Sequence, residues 1–334
     1  METTAKSGPR PVVLLFAGQG AQHPGMGRHL YGAEPVFTAA MENVFDLLGV
    51  RAERLRADFL AGREDGLDEA EQAQPLLFAL GYATARLIRS WGVRPAALLG
   101  HSVGEAVAAV VAGVMSLPDA VRLLITRTEA ATRTPPGGML AVAASPDTLA
   151  SLLPEGVVVG ALNGPRQILL AGAKAPLAEA ESRLRAQGVL CRRARARQGF
   201  HSQLMDPVVA SALPDVARTA LRPPAVRLYS AYTGHPLGSA EAVDPSFWAR
   251  QIAEPVLFGP ALDRLLANGN FLLIDAGPGE SLLSLARRHP AIASGRSDVV
   301  AVLPPARAAA DLVHGALPSA VRRIRSEGHR LSVQ

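Results

Sequence analysis

Three groups of residues in this chain are spaced for chemistry. Gly100-His101-Ser102-Val103-Gly104 sets a serine between two glycines. The apolar run Ala96 to Leu99 before it reads as a buried strand, and Ala106 to Val114 after it reads as a helix. Strand, sharp turn and helix is the context that makes a Gly-x-Ser-x-Gly match a nucleophile elbow. The glycines tolerate the turn, and the helix N-terminus aims unpaired N–H groups at a developing oxyanion. A helix-capping serine in a Gly-rich turn is the plain alternative. The second group is Gln198-Gly199-Phe200-His201-Ser202. His201 there could serve Ser102 as general base and later as acid, the pairing that nucleophilic acyl transfer needs. A packed or capping histidine is the alternative. The third is Ala17-Gly18-Gln19-Gly20-Ala21-Gln22, directly after the apolar strand Val12 to Phe16. It lacks the Gly-Lys-Ser/Thr ending of a phosphate loop and the Gly-x-Gly-x-x-Gly spacing. Gln19 is the polar group of this loop that could project into a site.

The elements around these groups alternate. Helices are expected at Glu34 to Leu48, Ala52 to Ala61, Gln72 to Trp91 and Leu117 to Thr134, which with the two strands makes an α/β core on a parallel sheet. After Gly138 the pattern becomes β-α-β-β-α-β, a ferredoxin-like split unit. Its strands are expected at Met139 to Ala144, Val157 to Leu162, Gln167 to Ala171 and Val189 to Ala196. The fold class is therefore α/β: a large α/β-hydrolase-like core with a small inserted ferredoxin-like subdomain. The expected boundaries are 1–137 and 199–334 for the large unit and 138–198 for the small one. Further on, Ser202 to Leu221 reads as helical, and the tail Ala308 to Glu327 as a helix broken at Pro318.

Composition bounds the function. The chain has 334 residues, 49% hydrophobic and 19% charged, enough for a sizeable core. No apolar run reaches the ~18 residues of a membrane span, and no signal peptide opens the chain, so a cytoplasmic protein without membrane association is expected. Cys191 is the only cysteine, which excludes an intramolecular disulfide and a cysteine-based metal cluster. No metal site is expected. The net charge is +5, with Lys6 and Lys174 the only lysines, so an acidic partner fits. Aromatic residues make up only 4%, too few for base-stacking platforms, and no nucleic-acid partner is expected.

Phe16-Ala17-Gly18-Gln19-Gly20, Gly100-His101-Ser102-Val103-Gly104-Glu105, Arg127, Phe200-His201-Ser202 and Asp275-Ala276-Gly277-Pro278-Gly279 together resemble the malonyl-CoA:acyl carrier protein transacylases. They are similar also to the acyltransferase domains of modular polyketide synthases. The resemblance runs from about Val12 to about Gly328. It implies that Ser102 is the acylated nucleophile and His201 its base. It implies an oxyanion hole from the backbone N–H groups of Gln19 and Val103, such donors contributing on the order of 3 kcal/mol each. Arg127 would grip the free carboxylate of a malonyl-type group, a task suited to a planar guanidinium. The backbone carbonyl of Gln251 would orient the histidine, giving a dyad with no acid. Asp206 follows His201 too closely for an obvious triad acid.

No permanently bound cofactor is implied: acyl-CoA is the donor and the phosphopantetheine arm of an acidic acyl carrier protein the acceptor. An α/β-hydrolase fits less well, since its acid lies between serine and a late histidine. Phe200 and Val103 favour plain malonyl over α-branched units. Gln198 and Gly199 match neither family pattern, and Gly199 could enlarge the pocket. An unusual acyl group passed between carrier proteins, thioester hydrolysis by the same dyad, and a non-catalytic docking module are the alternatives. Arg192, Arg193, Arg195 and Arg197 are expected to dock the carrier protein, or else to solvate an edge strand. The enzyme is expected to be a free-standing monomer or an excised piece of a larger synthase.

Overall fold

The computed structural model describes residues 8–306 and 308–332. Five short strands form a wholly parallel sheet: β1 (Val12–Phe16), β2 (Ala97–Gly100), β7 (Arg227–Tyr229), β8 (Leu272–Asp275) and β9 (Asp298–Ala301), in the order β7-β2-β1-β8-β9. β1 is Val-Val-Leu-Leu-Phe and every residue of it is buried. Such an unbroken apolar run is the mark of a strand covered on both faces, which parallel sheets require. Helices α1 (Pro35–Leu48), α2 (Val50–Ala61), α3 (Ala70–Ser90), α4 (Val103–Ala112) and α5 (Leu117–Ala131) follow the first strands. α3 is buried along most of its length and packs against α1, α4 and α5.

Because β1 and β2 are paired neighbours, the loops leaving their C-terminal ends lie side by side. The His101 N–H donates to Phe16 O at 2.9 Å. The contact is backbone on backbone: a Cβ at Gly18 would collide with the His101 carbonyl, and one at Gly104 with the Phe16 carbonyl. Carboxyl ends of parallel strands are where open α/β sheets place ligands. Here they gather the glutamine loop, the serine elbow and the segment after β7.

The second sheet is antiparallel, in the order β4-β5-β3-β6, from β3 (Gly137–Val142), β4 (Val157–Gly164), β5 (Gln167–Ala173) and β6 (Cys191–Arg193). With α6 (Pro146–Ala150) and α7 (Lys174–Ala186) it makes the expected β-α-β-β-α-β unit. It has its own apolar cluster, built on Leu140, Ile168, Leu170, Leu177 and Leu184. The two sheets are joined through a bridge between Ala161 and Val256, where the Leu162 N–H donates to Val256 O at 2.7 Å.

Several expected elements are shorter. β6 covers three residues, Cys191–Arg193, and beyond it Arg195 and Arg197 turn to solvent. Helix α8 starts at Asp206, with Pro207 at its first turn fixing the start, and ends at Ala217. The C-terminal helix Ala310–Ser326 runs through Pro318 unbroken. That proline is exposed, so the carbonyl it leaves without an N–H partner can face water.

Candidate active site

Ser102 sits at the N-terminus of α4 with φ 53° and ψ −121°. Among the described non-glycine residues only Ser102 and His201 have positive φ. Such backbone costs of order 1–3 kcal/mol, and it persists where the surrounding structure over-determines it. Ser102 makes no side-chain cap, which sets aside the capping alternative. Its Oγ instead lies 2.9 Å from His201 Nε2.

The histidine is held from the other side by backbone. His201 Nδ1 lies 3.1 Å from the Gln251 carbonyl and 2.9 Å from the Glu254 carbonyl. Carbonyls only accept, so Nδ1 carries the proton, Nε2 is the acceptor and Ser102 is the donor. The His201 N–H also donates to Ile252 O at 2.8 Å. Burial, then the neighbouring His101 and also Arg127, push His201 down to about 4, against the pull of the two carbonyls. No carboxylate touches this imidazole among the described residues, and Asp206 begins α8 instead.

In the glutamine loop the Gln19 side chain is tied back. Its Nε2 donates to Asp68 O at 3.3 Å and its Oε1 accepts from Gln74 Nε2 at 3.0 Å. That leaves its backbone N–H, which has no acceptor among the described residues. Val103 is the first residue of α4, so its N–H belongs to the unpaired donors of a helix N-terminus.

Arg127 lies in the middle of α5 and is only 8% exposed, unlike a helix-surface arginine. Its Nη2 donates to the Trp248 carbonyl, and its Nε is buried with no partner. Burial lowers the guanidinium to about 10, with Tyr232 and Glu105 opposing, so it stays charged at neutral pH. Arg127 lines one cavity with Ser102, Val103, Phe200, Tyr232 and Ile252.

In the segment before His201, Phe200 is on the cavity wall and Gln198 is not. Gly199 does not enlarge the pocket. A Cβ there would stand 2.8 Å from Leu204 Cδ1 and 3.1 Å from Gly172 O. Its smallness answers the packing of this segment onto β5. The basic segment is largely neutralised: Arg193 pairs with Glu181 at 2.6 Å, Arg195 with Asp68 at 3.3 Å and Arg197 with Glu69 at 2.8 Å.

Two acidic or phenolic groups escaped the sequence reading. Glu105, in the first turn of α4, is fully buried. It accepts from Ser230 Oγ at 2.6 Å, Ala231 N at 2.7 Å and Gln251 Nε2 at 3.2 Å. It therefore ties the elbow helix to the residue whose carbonyl holds His201. Burial pushes its carboxyl up to about 8, opposed by Ser230, Ala231 and Arg127. Tyr232 shares the cavity, its ring 6.1 Å from that of His201. An acidic residue in the otherwise apolar Val103–Ala112 helix was the available signal for Glu105; nothing local marks Tyr232. His101 turns away from the dyad and meets Asn163 Oδ1 at 2.8 Å. Among the described residues no group of three His, Cys, Asp or Glu could hold a metal ion, and no helix is long and apolar enough to cross a membrane.

Residues 13–311 match the family profile described as acyl transferase domain. The chain is 39% identical over 282 residues to a phenolphthiocerol/phthiocerol polyketide synthase of Mycobacterium tuberculosis, covering 84% of this chain and 19% of the relative. It is 37% identical over 280 residues to the polyketide synthase GfsB of Streptomyces halstedii, covering 82% of this chain and 5% of the relative. The chain thus spans a fifth or less of these relatives. Among solved structures, the acyltransferase domain from the second module of the salinomycin polyketide synthase superposes with a TM-score of 0.87 at 33% identity, covering 97% of this chain and 75% of that one. The malonyl CoA-acyl carrier protein transacylase from Clostridium perfringens shares the fold, with a TM-score of 0.82 at 20% identity over 95% of this chain and 98% of that one. With a profile that spans most of the sequence and relatives well above 30% identity, the chain belongs to the acyl transferase domain family.

Proposed function

We propose that this chain moves a malonyl-type acyl group from CoA through an acyl-Ser102 intermediate to the phosphopantetheine thiol of an acyl carrier protein. The observation that carries the reading is one cavity lined both by Ser102, whose Oγ lies 2.9 Å from His201 Nε2, and by the buried Arg127. Ser102 Oγ attacks the thioester carbonyl and His201 Nε2 takes its proton. The oxyanion is met by the Gln19 and Val103 N–H groups. Collapse breaks the C–S bond, and the proton passes from His201 to the leaving CoA sulfur. In the second half the carrier thiol gives its proton to His201, attacks the ester and releases Ser102, which takes the proton back. The Gln251 and Glu254 carbonyls keep the imidazole in the tautomer these transfers need. Arg127 binds the free carboxylate, which no uncharged acyl group offers. Phe200 on the cavity wall supports malonyl over α-branched units. In this reading residues 138–198 form a small unit inserted in a catalytic unit made of 1–137 and 199–334.

Incubation with labelled malonyl-CoA should leave label on the protein, and Ser102→Ala should abolish it. Label surviving in that variant removes the serine from the mechanism. Free malonate in place of malonyl carrier protein as product would make the chain a hydrolase with the same dyad.

A further inference from the structure

Four polar side chains line the acyl cavity: Gln74, Ser102, Arg127 and Tyr232. Ser102 and Arg127 carry the proposed chemistry, and Gln74 is engaged by Gln19 Oε1 at 3.0 Å. Tyr232 is left. Its backbone is fixed on several sides. It follows β7, its own N–H donates to Ser230 Oγ at 3.0 Å, and the preceding Ala231 both donates to Glu105 and accepts from the Leu257 N–H. The ring stands beside His201, inclined at 42°. Its side chain lines the cavity with Ser102 and Arg127, and the phenol lies within electrostatic reach of Arg127 and Glu105. It therefore borders the space that a malonyl group must fill between the nucleophile and the guanidinium. Burial raises this phenol well above its ordinary value, so it remains an O–H donor.

Proton accounting gives the role open to this phenol. Ser102 Oγ has one proton, and it is committed to His201 Nε2, since Nδ1 faces two carbonyls. Ser102 thus has no proton to give Tyr232, whose O–H can act only as a donor toward an acceptor in the cavity. A hydroxyl enclosed without an acceptor is costly once the acyl group fills the cavity. A malonyl group supplies a new acceptor, because its free carboxylate is directed at Arg127. An acetyl group supplies none.

Resting on the function proposed above, we infer that Tyr232 is a specificity-determining residue of the acyl pocket. Its hydroxyl donates to the free carboxylate in the acyl-enzyme. Its ring, with Phe200, closes the space beside the carbon between the two carbonyls.

Two substitutions separate the hydroxyl from the ring. Wild type, Tyr232→Phe and Tyr232→Val are each mixed with malonyl-CoA, methylmalonyl-CoA and acetyl-CoA. Initial acylation of Ser102 is followed by intact mass, with melting temperatures alongside; if the valine variant does not fold, Tyr232→Leu replaces it. Tyr232→Phe should lower kcat/KM for malonyl on the order of tenfold to a hundredfold, as for a lost bond to a charged group, and for acetyl far less. Tyr232→Val should raise methylmalonyl relative to malonyl by roughly tenfold or more, the scale of one methylene in an apolar pocket. Equal losses of malonyl and acetyl in the phenylalanine variant, or an unmoved methylmalonyl-to-malonyl ratio in the valine variant, overturn the inference. A wild type that takes no acyl group on Ser102 overturns the parent function as well. A normally acylated wild type beside an unchanged Tyr232→Phe overturns the tyrosine's role alone.

Discussion

The environment of His201 makes a sharp prediction for the pH dependence of acylation. A free histidine titrates near 6.5, and burial beside His101 and Arg127 brings this one to about 4. That displacement corresponds to roughly 3 kcal/mol against the imidazolium. The base must be neutral to take the Ser102 proton. With an ordinary imidazole, acylation would fall about tenfold between pH 7.5 and pH 5.5. With His201 as placed, the neutral fraction changes by less than about a tenth over that range, and the fall comes only near pH 4. The assay is the initial rate of acyl-Ser102 formation, quenched and weighed intact, at subsaturating acyl-CoA. Acetyl-CoA run in parallel with malonyl-CoA removes any titration of the malonyl carboxylate. The same shift bears on stability. The folded value lies below the unfolded one, so the neutral form stabilises the fold above about pH 6.5, and this contribution is lost as pH falls through about 4. Circular dichroism at each pH separates unfolding from loss of the base. A half-maximal rate near pH 6.5 in folded protein would refute the reasoning, because it would mean that the imidazole is solvated during catalysis.

Arg127→Ala should depress malonyl transfer by a few kcal/mol, on the order of a hundredfold or more, while acetyl transfer falls much less; competitive acylation from mixed acyl-CoAs reads the ratio, and equal losses deny the carboxylate clamp. Glu105→Ala should lower the melting temperature by several degrees, since three buried donors lose their acceptor at roughly 1–3 kcal/mol each; an unchanged melting temperature would mean that the network carries no stability. Glu105 also has a pH sign: its folded value of about 8 lies above the unfolded 4.5, so its contribution is full below about pH 4.5 and lost as pH rises through 8. Glu105→Gln should flatten that alkaline decline in a melting-temperature series.

The serine elbow was legible because its constraints are local. Gly100 and Gly104 leave no room for a Cβ, and the strand and helix flank them within a few residues. The parallel core and the β-α-β-β-α-β unit were legible for a similar reason: apolar runs and turn residues repeat along the chain. The expected break at Pro318 failed because an exposed helix face tolerates a missing hydrogen bond. β9, Asp-Val-Val-Ala with a single buried residue, lacks the unbroken buried apolar run that marks β1 and β2. Glu105 and Tyr232 were hidden for a different cause. The partners of Glu105 are Ser230, Ala231 and Gln251, more than a hundred residues away in sequence, and Tyr232 comes to the cavity beside Ser102 only through the same fold. Gly199 shows the reverse error. Read alone, a small residue in a pocket motif suggests space, whereas here it suits the close approach of backbone to β5.

Both members of the dyad hold strained backbone, and their supports come from different parts of the fold. Ser102 is set by the parallel sheet, through β2 and the contact of its loop with Phe16. His201 enters from the antiparallel unit and is anchored by Ile252, Gln251 and Glu254. The chain then runs on to Val256, which pairs with Ala161 of β4. The 2.9 Å separation of serine and imidazole is thus a measure of how the two sheets sit together. Glu105 reinforces that arrangement from beneath, since one carboxyl group binds the end of β7 and the Gln251 side chain at once. The cavity proposed for the acyl group lies where these supports meet. On that proposal its selectivity and the Ser102–His201 geometry are coupled: a change that tilts the 251–256 segment moves His201 from Ser102, and the same segment supplies Ile252 to the cavity wall.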